Sequence, residues 1–286
     1  MTSSANIGRR EAIGAITAAG LMAAPTARAQ GGEARSDRPL AGKAALITGA
    51  PRNLGRGYAV ALAEDGANLM IHYHDAGDRA DAEEAARLVR AAGARAEIIE
   101  GELRDPAIPA RLVAATREAF GRLDILVNNA GRMVKKPIAD IAGSEYDDVF
   151  EVNARVPFFL MQAAAPNLGE GGRIINICSS LLIGFMPNYA LYQGSKAALE
   201  QFTRSMAREI GPRGVTVNAL APGPIDTPFY RAPEDAAAIA YATRLAVAGR
   251  LGAVADVVPM VRFLASPAAQ WVNGQTIFVN GGYVAP

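Results

Sequence analysis

Cysteine is almost missing from this chain, with one residue, Cys178, in 286. A single thiol excludes an internal disulfide, and no Cys/His cluster has metal-ligand spacing, so no metal site is expected. Cys178 lies in an apolar, strand-like run and reads as a small buried core residue. An excess of one charge is missing too: 29 Lys and Arg stand against 28 Asp and Glu. No basic block runs along the main body, which argues against nucleic acid as a partner. Internal repeats of about 20–50 residues are also absent.

What the chain has is apolar content. Half of its residues are hydrophobic, enough for the core of one large α/β domain or two small ones. The first residues stand apart from this body. Arg9 and Arg10 precede Glu11 and an Ala/Gly-rich, mildly apolar run from Ala12 to Ala24. Pro25 follows, and Ala27-Arg28-Ala29 precede Gln30. A basic start, an apolar middle and an A-x-A end read as a signal peptide over 1–29, and the paired arginines resemble a twin-arginine signal. Gly8 departs from that pattern. The expectation is a periplasmic protein, with a cytoplasmic protein carrying an N-terminal extension as the alternative. The apolar run is too short for a comfortable membrane span, so no membrane insertion of the mature protein is expected. Residues 30–41, rich in Gly, Ser, Asp, Arg and Pro, read as a linker.

Over 42–286 short apolar runs alternate with helix-like stretches. Strands are expected at Ala44–Thr48, Asn68–Tyr73, Ala96–Glu100, Ile125–Asn128, Arg173–Cys178, Val215–Ala219 and Thr276–Val279, the last as sheet edge. Helices are expected at about 54–65, 79–92, 106–120, 144–167 and 190–211. This alternation predicts a single Rossmann-type, doubly wound α/β domain, with a seven-stranded, mostly parallel sheet flanked by helices. Residues 224–252 read as an inserted lid.

Two local features carry chemistry. The first strand ends in Thr48-Gly49-Ala50-Pro51-Arg52-Asn53-Leu54-Gly55 before a helix, and a Gly-rich strand–helix turn admits a pyrophosphate against free N–H groups. Tyr192 and Lys196 lie four apart at the start of a run with apolar Leu199, Phe202, Met206 and Ile210, so they share one helix face. A phenol beside an ammonium is expected to have a lowered pKa, as an acid/base group needs. Ser179 and Ser180, at a strand end 13 and 12 residues before Tyr192, compete as the donor to a carbonyl.

Together these motifs resemble the short-chain dehydrogenase/reductase family, most of all members like 3-oxoacyl-carrier-protein reductases. The family's T-G-x-x-x-G-x-G is matched at Thr48, Gly49 and Gly55. Asn53 replaces the middle glycine, and Asn tolerates a left-handed backbone. Asp124-Ile-Leu-Val-Asn128-Asn129-Ala130-Gly131 matches D-x-L-V-N-N-A-G. Asn218 through Pro222, Gly223 and Thr227 matches N-x-x-x-P-G-x-x-x-T. The resemblance covers about 42–284.

It implies hydride transfer between NADP(H) and a carbonyl or secondary alcohol, with NAD(H) as the alternative cofactor. It implies Tyr192 as acid, Lys196 as its partner and ribose ligand, Ser179 rather than Ser180 as carbonyl donor, and Asn153 as holder of a proton-relay water. Cofactor contacts are implied for Gly49, Arg52, Asn53, Leu54, Gly55, Tyr73, His74, Glu102, Asn129, Ala130, Gly131, Pro222, Gly223, Ile225 and Thr227, besides Tyr192 and Lys196. Asn128 would steady the sheet. Tyr73 stands where a carboxylate would select NAD, Arg52 matches the arginine that pairs with a 2′-phosphate, and Asp75 counts the other way. A homotetramer or homodimer is implied through the helices at about 144–167 and 190–211.

The pocket wall is expected from Met133, Leu181, Leu182, Ile183, Phe185, Met186 and Tyr189, with Phe229, Tyr230, Ile239 and Tyr241 of the lid. A neutral 3-oxoacyl thioester or small apolar ketone is favoured, although Arg132, Lys135 and Arg231 could reach the mouth. The alternatives are a pteridine, sugar or steroid reductase of the same fold, or a non-catalytic nucleotide-sensing protein. His72-Tyr73-His74 is similar to pteridine reductases, but Ser179 stands where those carry Asp.

Overall fold

Seven strands form one parallel sheet in the order β3-β2-β1-β4-β5-β6-β7. They are β1 (Ala44–Ile47), β2 (Asn68–Tyr73), β3 (Ala96–Glu100), β4 (Leu123–Asn128), β5 (Leu168–Ile177), β6 (Thr216–Pro222) and β7 (Thr276–Val279). The helices are α1 (Asn53–Glu64), α2 (Arg79–Ala91), α3 (Ile108–Phe120), α4 (Gly143–Phe150), α5 (Val156–Ala164), α6 (Ala190–Ile210), α7 (Pro228–Arg231), α8 (Ala236–Leu245) and α9 (Val254–Ala265). The computed structural model describes residues 38–184 and 186–285. The expected signal, most of the linker and Phe185 lie outside the described residues.

The strands are apolar on both faces because both are covered. Alternation along β1 and β4 sends Ala45, Ile47, Ile125 and Val127 to one side, against Tyr58, Leu62, Val257 and Val261. It sends Leu46 and Leu126 to the other, against Leu112, Leu160 and Leu199, and Leu123 joins that side across a register shift between Leu123 and Ile125. The chain leaves β1 toward β2 on one side and reaches β4 on the other. This reversal opens a crevice at the C-terminal strand ends, where ligands bind in such sheets.

Three differences from the sequence expectation have physical causes. The helix expected at 144–167 is interrupted by a π-helical turn, Glu151–Arg155, in which the Val156 N–H reaches back to the Glu151 carbonyl. Pro157 has no N–H to give the Asn153 carbonyl four residues earlier, so regular α pairing fails there. Strand β5 begins at Leu168 rather than Arg173, through glycines whose missing side chains hide the period-two signal. Helix α9, not foreseen, carries Pro259 inside it and is held by packing. A Cβ at Gly57 on α1 would stand 2.5 Å from Val254 and 3.0 Å from Val258, so α1 and α9 meet at that glycine. The 224–252 segment contains α7 and α8 and is tied back by the Asp226 N–H donating to Gly252 O at 2.7 Å.

Candidate active site

The crevice holds a cleft of about 460 Å³. Its inner end is built by the first glycine turn. Asn53 adopts φ +51°, so the left-handed conformation expected of it is realised. The Thr48 hydroxyl accepts from the N–H groups of Asn129 and Ala130 at 3.0 and 3.1 Å. The Asn129 amide donates to the carbonyls of Thr48 and Gly49 at 2.9 and 2.8 Å. Asn129 thus locks the β1 turn to the β4 turn. Asn128 donates to Asn176 at 2.7 Å, and Asn176 to Thr203 at 2.8 Å, which steadies the sheet centre as the resemblance implied.

Two glycines let the loops around the cleft pack directly on one another. A Cβ at Gly49 would lie 3.0 Å from Ala130 Cα, and one at Gly223 would lie 2.8 Å from Asn280 Cα. The N-cap residue of α1, Arg52, makes no side-chain cap, so the first-turn N–H groups keep their capacity for an anion. Gly49, Arg52, Asn53, Leu54, Gly55, His74, Glu102, Asn129, Ala130, Gly131, Pro222, Gly223, Ile225 and Thr227 all line the cleft, with Ser179, Tyr192 and Lys196.

Tyr73 does not. Alternation along β2 turns it from the cleft to the core, and its hydroxyl donates to Glu100 at 3.2 Å. The neighbouring His72 lines the cleft instead. Its Nδ1 accepts from the Gly49 N–H at 3.2 Å, which leaves Nε2–H for the Gly101 carbonyl at 2.9 Å. Burial lowers its pKa to about 4, so His72 is a neutral brace for the glycine turn. His74 faces the cleft, with Nε2 3.8 Å from both Asp75 and Glu102. Hydrogen bonding from Arg104 holds the Glu102 carboxyl down at about 2.

At the outer end, Tyr192 and Lys196 share one face of α6, as their spacing required. Tyr192 is 7% exposed. Its phenol is not lowered as expected: burial raises its pKa, and the Ser179 hydrogen bond only partly opposes that. The Lys196 ammonium lies 5.8 Å from the phenol ring centre and donates to the Ile177 carbonyl at 2.7 Å. Burial lowers the lysine pKa to about 8. The pair therefore rests as a neutral, protonated phenol beside an ammonium that can stabilise a phenolate once one forms. That is the state a proton donor needs.

Both serines line the cleft, but the Ser180 hydroxyl is spent on Ala221 O at 3.1 Å, whereas Ser179 is hydrogen-bonded to Tyr192. Asn153 does not line the cleft. Its side chain brackets the Arg132 backbone at 2.7 and 2.8 Å and donates to Ser195 at 3.0 Å. Ser195 in turn donates to the Tyr192 carbonyl at 2.8 Å. Asn153 thus joins the π turn to the start of α6, and Ser195 is a link that the motif reading missed.

Of the expected wall, Met133, Leu181, Tyr189, Phe229 and Tyr230 line the cleft, whereas Leu182, Ile183, Met186, Ile239 and Tyr241 do not. Tyr283 joins the wall from the C-terminal segment. Each of the three cations near the mouth is paired. Lys135 meets the buried Glu234 at 2.6 Å, Arg132 meets Asp148 at 3.3 Å, and Arg231 meets Asp226. Glu234 also accepts from the Tyr189 hydroxyl, so the lid is bound to the base of α6. No sequence signal marked this contact, because its residues lie far apart in the chain.

The lysine shift has a testable sign. The folded state gives up the Lys196 proton near pH 8, while an unfolded lysine keeps it to about pH 10.4. Between these values the unfolded chain binds more protons, so this residue makes stability rise with pH. Below pH 8 the full penalty of the buried charge remains. Lys196→Met is expected to remove the rise and to stabilise the fold at pH 7 by up to about 3 kcal/mol, while stopping catalysis. Urea unfolding of both proteins at pH 7 and pH 9.5 measures this; parallel pH dependences would refute it.

The fold and site define a dinucleotide-dependent oxidoreductase with a tyrosine–lysine–serine centre. Known proteins agree. A family model described as enoyl-(acyl carrier protein) reductase matches residues 49–284. A hydroxynaphthalene reductase-like protein, Arp2, of Metarhizium brunneum is 41% identical over 86% of this chain and 97% of its own. Versicolorin reductase 1 of Aspergillus parasiticus is 39% identical over 85% and 97%. The crystal structure of a putative dehydrogenase from Burkholderia cenocepacia with bound NADP is 40% identical, with a TM-score of 0.84 over 88% of this chain and 97% of that one. A blue fluorescent protein from a metagenomic library, solved with NADPH, is 35% identical, with a TM-score of 0.82 over 86% and 100%. The chain belongs to the short-chain dehydrogenase/reductase family. It is an NADP-dependent oxidoreductase acting on carbonyl and CH–OH groups.

Proposed function

We propose that this enzyme uses NADPH to reduce a neutral, cyclic or aromatic ketone to a secondary alcohol. The observation that carries this reading is a buried Tyr192 at the end of a cleft whose outer wall is Met133, Leu181, Tyr189, Phe229, Tyr230 and Tyr283. Flat aromatic walls suit a ring better than a flexible acyl chain. The paired state of Arg132, Lys135 and Arg231 leaves none of them free to recognise a carboxylate or phosphate. The hydroxynaphthalene reductase-like and versicolorin reductase relatives support the same direction; a 3-oxoacyl thioester is the second reading, favoured by the family model's description.

The bound cofactor supplies the hydride. The chain supplies the rest. Ser179 donates a hydrogen bond to the carbonyl oxygen, Tyr192 gives that oxygen its proton, and Lys196 stabilises the phenolate left behind. Pro222, Gly223, Ile225 and Thr227, which line the cleft, would hold the nicotinamide end of the cofactor. An NADPH-oxidation screen is expected to show turnover with cyclic ketones and little with ketones bearing a carboxylate or phosphate. Turnover confined to charged ketones would defeat the reading.

We further propose export to the periplasm by the twin-arginine signal at 1–29, and assembly as a homotetramer. Arg9-Arg10 and Ala27-Arg28-Ala29 support the first. The exposed Phe158, set edge-on to Phe202 at 5.1 Å across α5 and α6, supports the second. Native mass spectrometry of protein from its own host reads both. An intact N-terminus would count against export, and a monomer against assembly.

A further inference from the structure

Arg52, the arginine matched to 2′-phosphate binding, stands at the mouth of the cleft with both terminal nitrogens engaged. Nη2 meets Asp78, and Nη1 meets Asp81 at 2.8 Å. The two carboxylates are not equivalent. Asp81 has a second cation, Arg56, at 2.8 Å, and is not part of the cleft lining. Asp78 lines the cleft, and Arg52 is its only ion-pair partner among the described residues. Asp75, the acid that the sequence offered as counting against NADP(H), is used elsewhere. Its carboxylate caps the turn Ala76–Asp78 by accepting from the Gly77 N–H at 2.8 Å, and it does not line the cleft.

A guanidinium recognises a phosphate best through two parallel N–H groups. Arg52 is already held by both carboxylates, so a phosphate that draws its guanidinium into the cleft must compete with at least one of them. If it releases Asp81, Arg56 still neutralises that residue. If it releases Asp78, an unpaired anion is left in the cleft. A nucleotide without the 2′-phosphate makes no such demand and leaves the Arg52–Asp78 pair intact.

We propose that Asp78 sets the discrimination between NADP(H) and NAD(H), by occupying Arg52 and having to yield it when a 2′-phosphate binds. Asp78 thus holds the preference for NADP(H) below what Arg52 alone would confer. The inference rests on NADP(H) binding in this cleft and not on the identity of the ketone.

The test is direct binding of NADPH and of NADH to the full chain, without substrate, followed by nicotinamide fluorescence. Asp78→Asn keeps the side chain's shape and removes its charge. Its NADPH Kd is expected to fall about 2- to 5-fold, the scale of an exposed ion pair, while its NADH Kd stays within about 2-fold. Asp78→Ser should shift the ratio in the same direction. Asp81→Asn should shift it less, because Arg56 shares that carboxylate. In an Arg52→Ala background the gain from Asp78→Asn should shrink, because no cation remains to be freed. An unchanged NADPH/NADH ratio, weaker NADPH binding, or equal tightening of both nucleotides overturns the proposal. So does a gain that persists undiminished without Arg52.

Discussion

Tyr192→Phe is expected to lower kcat for ketone reduction by about 10²- to 10⁴-fold, the range of a positioned general acid, while NADPH binding changes little. The phenol is buried, and its pKa lies above the ordinary tyrosine value because of that burial. Tyr192 therefore keeps its proton through the working pH range and has it to give when the carbonyl oxygen gains charge. Phenylalanine fills the same space beneath Phe229, whose ring centre lies 6.5 Å from that of Tyr192, so the wall survives. Stopped-flow reduction and a fluorescence titration of NADPH separate the two effects. A Phe variant keeping more than about a tenth of kcat would show that another group supplies the proton. Loss of NADPH affinity in parallel would show that the hydroxyl serves binding instead.

Gly55→Ala is expected to have the second-largest effect, and on a different quantity. A Cβ there would press on the Gly49 carbonyl and stand 2.7 Å from the Asn129 amide nitrogen and 2.8 Å from Ala50 Cα. None of these can move freely. The Asn129 amide is held by Thr48 O and Gly49 O, and the Gly49 N–H is held by His72. The methyl group must therefore displace the turn that a pyrophosphate would lie against. NADPH affinity should fall by about 100-fold or more, with a stability loss of about 1–3 kcal/mol from overpacking. Gly131→Ala is the control. Its Cβ would lie 3.5 Å from Asn153 Oδ1 and 3.6 Å from Lys196 Nζ, ordinary contact distances, so its stability should change little. Calorimetric titration with NADPH measures the affinity loss in Gly55→Ala, and urea unfolding of both variants compares their stability. Equal NADPH affinity in Gly55→Ala and the parent would remove the steric argument.

Most of the sheet was legible because short apolar runs between turn residues carry a local signal. β2, β3 and β7 occupy the expected spans, and α6 differs from expectation by one residue. Where the local signal weakens, legibility ends. Helix α9 hides behind an internal proline and a valine-rich stretch, and only its packing on Gly57 secures it. The π turn at Asn153 follows from Pro157, a residue visible in the chain whose consequence depends on what the carbonyl four residues earlier can find. In the site, the residues expected to touch cofactor or substrate chemistry assemble in one cleft. The two exceptions are Tyr73, whose facing is reversed by strand alternation, and Asn153, which acts through Arg132 and Ser195.

The sequence by itself determined the family, the parallel sheet, the glycine turn with Asn53 in a left-handed conformation, and the pairing of Tyr192 with Lys196. These follow from local spacing, and local spacing is what a chain states directly. Tertiary structure alone decided the proton state of that pair, the facing of His72 rather than Tyr73, and the partners of the charged residues. Asp78 lies 26 residues from Arg52, and Glu234 lies 99 residues from Lys135. Burial and ion pairing are sums over neighbours that only the fold brings together, and so the charge on each of these groups is a property of the folded molecule rather than of any stretch of its sequence.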